Sequence, residues 1–167
     1  MVIVCSLAGA VDAYAKHRPA RVISIASEED GVPEFPGLRA DRHLRLYVDR
    51  ESCAASIDQA ARDRAAQIVA FLKDSAPGED ILVHCNRGVS RSTAAAYIIL
   101  CKAAGPGTEV EIAKMLRRAA PFADPCPLLV SYADEILGRG GRMIEAIEDL
   151  PPPSAVISAP VVVIAPR

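Results

Sequence analysis

Cys85 and Arg91 stand at the two ends of one short stretch, His84-Cys85-Asn86-Arg87-Gly88-Val89-Ser90-Arg91-Ser92, with five residues between them. A thiol and a guanidinium at that spacing can face one anion if the stretch is a tight loop. Such a loop can turn its N–H groups inward as a nest. A helix beginning at its end adds a partial positive charge, and Arg91 adds a planar, two-pronged donor. The same field favours a thiolate at Cys85 over the thiol. A thiolate facing a bound phosphoryl group is a nucleophile in position.

The flanking elements support the loop. Ile81-Leu82-Val83 is strand-like and leads in; the run from Thr93 to about Ala104 is helical and leads out. Ala94 to Leu100 is apolar nearly all round, which marks a central, buried helix whose alanines let it lie close to a sheet. Upstream, Val2–Cys5, Arg21–Ile25 and His43–Val48 read as strands, and Ala8–Lys16 as a helix closed near Pro19. Ile57, Ala61, Ala65, Ile68 and Leu72 step by three or four along one helix face, which Pro77-Gly78 ends. The acids, prolines and glycines between Glu28 and Leu38 predict a surface loop. Alternating strands and helices predict an α/β fold with a parallel-rich central sheet flanked by helices.

Downstream, Thr108-Glu109-Val110-Glu111 matches a capping box and opens a helix to about Arg118. Further helices are expected at Leu128–Leu137 and Met143–Glu148. Residues 1–150 thus read as one domain, and 151–167 as a Pro-rich, apolar C-terminal tail. That tail is either extended or an added strand, and its Val161-Val162-Val163-Ile164 run needs cover.

The chain has 167 residues, enough for one domain with a sizeable core, and a formal charge of -2. No overall basic field recommends nucleic acid or an anionic membrane as a partner, so positive potential must be local, around Arg87 and Arg91. The five cysteines lack CxxC spacing, which argues against a disulfide framework and a zinc site and suits a reducing cytoplasm. The apolar Met1–Val11 stretch has no basic residues before it and reads as a first strand rather than a leader. No run is long enough to span a bilayer.

His-Cys-(five residues)-Arg-Ser, as it stands at His84 to Ser92, resembles the active-site loop of protein tyrosine phosphatases. The Gly-Val-Ser-Arg-Ser ending is most similar to the dual-specificity branch and its small bacterial relatives, and the likeness runs from about Val2 to about Gly141. It implies a dual-specificity-type phosphatase fold and a phosphoric monoester hydrolase working through a phosphocysteine intermediate. It implies no metal and no cofactor, and a phosphorylated protein or other phosphoester as partner. Cys85 would be the nucleophile, and Arg91 would bind two phosphoryl oxygens. Asn86, Arg87, Gly88, Val89 and Ser90 would supply the rest of the substrate-binding loop.

In the family a general-acid aspartate precedes the cysteine by some thirty-odd residues, and 85 − 49 = 36 puts Asp49 there, at a strand end. Glu51 and Asp58 are the neighbouring rivals for that role. Ser92 would hydrogen-bond the sulfur and help it leave, or simply cap the helix. His84 would orient the nucleophile through nearby backbone, or be a satisfied core histidine.

Several features depart from the family pattern. No Trp-Pro-Asp stretch is present, which disfavours the tyrosine-specific, deep-pocket branch. Pro125-Cys126 stands where many bacterial members have Pro-Asn, and Arg87 stands where a small residue is usual. Arg87 is then either an extra cation for substrates with a second negative group or a solvated rim residue. Two alternatives remain open beside the phosphatase: a phosphate-binding module with little or no turnover, and a rhodanese-like sulfur transferase.

Overall fold

The computed structural model describes residues 1–48, 54–76 and 78–165; the side chains of 54–56 are not described. Asp49, Glu51 and Cys53 lie outside the described residues, as does Pro77. Among the described residues, the five strands β1 (Val2–Ser6), β2 (Arg21–Ala26), β3 (His43–Tyr47), β4 (Ile81–Cys85) and β5 (Val162–Ile164) form one sheet in the order β3-β2-β4-β1-β5. β4 is central, parallel to β1 and β2, so the strand that carries the cysteine is held on both sides. β3 extends the parallel set, and β5 closes the other edge antiparallel to β1. Every residue of β1, β2 and β4 is buried, which is why these strands read as continuous apolar runs.

Helices cover the sheet unequally. α2 (Ala54–Phe71), α3 (Arg91–Ala104), α4 (Glu109–Ala119), α5 (Pro127–Ile136) and α6 (Arg142–Glu148) share one large apolar core with Val2, Val4, Val83 and Cys85. α1 (Ala10–His17), preceded by a 3-10 turn at Leu7–Gly9, packs on the opposite face over Ile3, Cys5, Val22 and Leu82. α3 has Ala94 to Cys101 buried without a break, and three of its alanines are fully covered. It is the stiff element behind the loop.

Two expectations need correcting. The loop after β2 is not merely a surface excursion: Phe35 is buried, stacks 5.0 Å from Tyr14, and completes the α1 face that one short helix cannot cover. The capping box does not form. Thr108 is the N-cap of α4, but its hydroxyl donates back to the Gly105 carbonyl at 2.7 Å, and Glu111 is exposed. Glu109 instead turns inward and meets Arg139 at 3.0 Å, tying α4 to the segment before α6. Burial pushes the Glu109 carboxyl up, and its backbone hydrogen bond and the Arg139 guanidinium more than offset this, so it ends below the usual range.

The tail resolves the alternative left open by its composition. β5 pairs Val2 with Ile164 and Val4 with Val162, and Ile164 is buried in the main core. The sheet edge covers this run in part: Ile164 is buried, while Val161 and Val163 stay exposed. Among the described residues no helix is long and apolar enough to cross a membrane.

Candidate active site

The stretch from Cys85 to Arg91 is a tight connection between the end of β4 and the start of α3. Its carbonyls fix its shape. The Asn86 carbonyl accepts from the Leu7 N–H at 3.1 Å, and the Arg87 carbonyl accepts from the Ala159 N–H at 2.8 Å. The Val89 carbonyl accepts from the Asp124 N–H at 3.0 Å, and the Ser90 carbonyl from the Ala94 N–H at 2.9 Å and the Cys126 N–H at 3.4 Å. The Thr93 hydroxyl also donates to the Ser90 carbonyl, at 3.0 Å. Three distant segments therefore hold the carbonyls outward: the turn after β1, the α4–α5 connection and the tail. A peptide unit with its C=O drawn outward presents its N–H to the other side, which is the geometry of an anion nest. The bonds from Asp124 and Cys126 are main-chain donors, so the missing Pro-Asn asparagine leaves this support intact.

Gly88 is the pivot of the loop. Its φ is +75°, and a Cβ there would lie 2.6 Å from the Ser6 nitrogen and 2.8 Å from the Ala159 Cβ. Only glycine fits a positive φ with backbone this close. The reward is electrostatic: the Gly88 N–H donates to Cys85 Sγ at 3.3 Å. Ser92 Oγ lies 3.2 Å from the same sulfur. Ser92 is fully buried inside the first turn of α3, and Ser90, the N-cap, makes no side-chain cap bond. Ser92 Oγ thus faces the sulfur, two residues past the N-cap position.

Arg91 opens α3 and is half-buried, and among the described residues no hydrogen bond or ion pair engages its guanidinium. A half-buried cation beside inward N–H groups is an unbalanced charge, and an anion would balance it. Arg87, by contrast, is engaged. Its Nε donates to the Ile157 carbonyl at 2.9 Å and its Nη2 to the Val156 carbonyl at 2.7 Å. The guanidinium grips the tail, a third arrangement beside the two expected of it.

His84 points to the α1 face, away from the face that holds Cys85, as alternation along β4 requires. Its Nε2 and the Nε2 of His43 each lie 2.7 Å from the Ser24 hydroxyl, and Phe35 packs against both rings. Burial pulls His84 down to about 4, assisted by neighbouring His43; burial likewise pulls His43 to about 4, assisted by Arg45. His84 thus links β4 to β2 and β3 through one serine, while its buried Nδ1 has no hydrogen-bond partner among the described residues. This Ser24–His43–His84 link was not found by sequence reasoning, because three residues on three strands carry no local spacing signal.

Cys5 also faces α1, opposite Cys85 across the sheet, so their Cβ vectors diverge and no disulfide joins them without backbone movement. Burial, with the nearby Cys85, pushes the Cys5 thiol up to about 12. The aspartate assigned by spacing, Asp49, lies beyond the end of β3 and outside the described residues.

No protein-family model matches the chain, and no curated protein sequence does. Solved structures do. Human DUSP28 is 22% identical with a TM-score of 0.56, covering 82% of this chain and 88% of its own. A phosphatase of Cydia pomonella, PTP-2, is 17% identical with a TM-score of 0.56, covering 80% of this chain and 84% of its own. The human tyrosine phosphatase-like serine/threonine/tyrosine-interacting protein is 17% identical with a TM-score of 0.53, covering 81% and 89%. The fold is therefore that of the protein tyrosine phosphatases, of the dual-specificity type.

Proposed function

We propose that this chain, built on the dual-specificity phosphatase fold, is a cysteine-dependent phosphoric monoester hydrolase. The observation that carries the reading is the sulfur of Cys85 held between the Gly88 N–H and the Ser92 hydroxyl, in a loop whose carbonyls are drawn outward and whose Arg91 guanidinium has no hydrogen-bond or ion-pair partner among the described residues. A phosphoryl group entering the nest would meet N–H groups on its equatorial oxygens, Arg91 across two of them, and the sulfur in line with the ester bond.

The chemistry then takes two steps. The Cys85 thiolate attacks phosphorus, a P–S bond forms, and the ester P–O bond breaks. Asp49, protonated, gives its proton to the departing oxygen. Water next attacks the thiophosphate, Asp49 takes a proton from it, and the P–S bond breaks to release phosphate. The Ser92 hydroxyl donates to the sulfur as it leaves with its electron pair. Substrates are phosphotyrosine, phosphoserine or phosphothreonine in proteins, or another phosphoester, in the cytoplasm.

The test is hydrolysis of an aryl phosphate by the purified chain, beside Cys85→Ser. Metal-independent turnover that the serine variant lacks supports the proposal. Phosphate protection of Cys85 from alkylation without turnover would instead make the chain a phosphate-binding module. Transfer of sulfur from thiosulfate to cyanide would make it a sulfur transferase.

A further inference from the structure

The residues that grip the loop from outside include a segment that no strand–loop–helix unit needs. Residues 151–164 run from α6 past the back of the phosphate-binding loop to the sheet edge. The Ser154 N–H donates to the Pro121 carbonyl at 3.0 Å, and Arg117 donates to the carbonyls of Pro151 and Ala123. Arg87 then takes the Val156 and Ile157 carbonyls with two nitrogens, and the Ala159 N–H returns a bond to the Arg87 carbonyl. Ala159 is buried against Gly88, and β5 anchors the far end on β1. Three hydrogen bonds thus join one loop residue to three residues of tail, in both directions.

From this we infer that residues 151–164 are a strap that sets the geometry of the phosphate-binding loop, with Arg87 as its clamp and a positioning residue for the proposed phosphoryl transfer. The inference rests on that proposed activity for its kinetic consequence but not for its binding consequence. The route is short. The clamp draws the tail against the loop, where the Ala159 N–H holds the carbonyl of the peptide unit that joins Arg87 to Gly88. The next residue, Gly88, carries the N–H that donates to Cys85 Sγ and the positive φ that aims it. Ala159 stands where a side chain on Gly88 would have to go, 2.8 Å from the position of a Cβ there. Arg87 does not reach the substrate; its charge is spent on two main-chain carbonyls. The planar guanidinium matters because it spans two adjacent carbonyls, which an ammonium cannot do from one position.

The experiment compares Arg87→Ala and Arg87→Lys with wild type in three measurements. These are kcat and KM on an uncharged-ring aryl phosphate, protection of Cys85 from iodoacetamide by inorganic phosphate, and hydrogen exchange of the amides in 86–90 and 151–164. The strap predicts that both variants lose about 10- to 100-fold in kcat/KM, with a lower kcat, as expected for sub-ångström misplacement of an aimed donor. Both also require more phosphate for protection, and amides of loop and tail exchange faster together while the remaining strands stay protected. Full retention of kcat and protection by Arg87→Lys, with Arg87→Ala raising KM only for substrates with acidic neighbours, would make Arg87 a substrate-side cation and overturn the inference. So would faster exchange in the tail alone. If wild type turns over no phosphoester yet phosphate protects Cys85 and Arg87→Ala abolishes that protection, the strap stands and the proposed hydrolase does not. Truncation after Leu150 exposes the buried partner of Ile164 and serves only as a limit.

Discussion

Ser92 Oγ lies 3.2 Å from Cys85 Sγ, inside α3 and sealed from solvent. In the thiol form the sulfur donates to the hydroxyl. In the thiolate form the hydroxyl turns and donates back, so the pair is suited to a sulfur that must leave with its electrons. Ser92→Ala should leave thiophosphate formation nearly unchanged and slow its hydrolysis about 10- to 100-fold, the worth of a hydrogen bond to a charged group. Rapid-quench kinetics would show a burst followed by a slow steady state. Equal slowing of both steps would return Ser92 to a packing role.

Asp49 is placed by its spacing of 36 residues before the nucleophile. Asp49→Asn should cut kcat by about 100-fold or more for alkyl phosphates, as loss of a general acid does, and far less for aryl esters with good leaving groups. The basic limb of the pH profile should disappear with it. An unaltered profile moves the role to Glu51 or Asp58.

The buried pair His43 and His84 gives a pH dependence of stability whose sign can be worked out. Burial holds both near 4 in the fold, against 6.5 in an open chain. Between those values the unfolded chain binds more protons, so stability is full above about 6.5 and falls as pH drops through 4. Denaturant midpoints at pH 7, 5.5 and 4.5 should fall in that order, and His43→Gln should flatten the trend. A midpoint constant across this window would mean the two rings are not buried neutral.

Gly88→Ala sets a methyl against backbone atoms at 2.6 and 2.7 Å and forces a side chain into φ +75°. The backbone conformation alone costs about 1–3 kcal/mol. The larger effect is on the loop: the N–H aimed at the sulfur must turn, and turnover should fall about 100-fold or more, the cost of losing one oxyanion donor. Phosphate protection of Cys85 should be lost in parallel. A variant with wild-type protection would show that the loop does not depend on this amide.

What could be read from the chain alone was whatever is local. The Cys85–Arg91 loop is one contiguous stretch between a strand and a helix, and buried parallel strands announce themselves as apolar runs. The helix over 57–72 showed its face by period, although its start lies at Ala54, where Ala and Ser give no contrast. The misses are nonlocal or competitive. Thr108 had two hydrogen-bond choices and took the Gly105 carbonyl, a preference no spacing encodes. Phe35 looked like part of a polar excursion because its burial depends on Tyr14 and His43, far along the chain. Arg87 was left between a cation for a second negative group and a solvated rim residue, because nothing near it in sequence hints at carbonyls at positions 156 and 157.

The Ala159-to-Arg87 bond joins positions 159 − 87 = 72 residues apart. During synthesis at about 5–20 residues per second, roughly 4–14 s separate the emergence of the loop from that of its last fastener. For that interval the cysteine stands in a nascent chain whose nest is unfinished, so the field that favours its thiolate is incomplete. The order of translation thus completes the nucleophile only after its last fastener has been made.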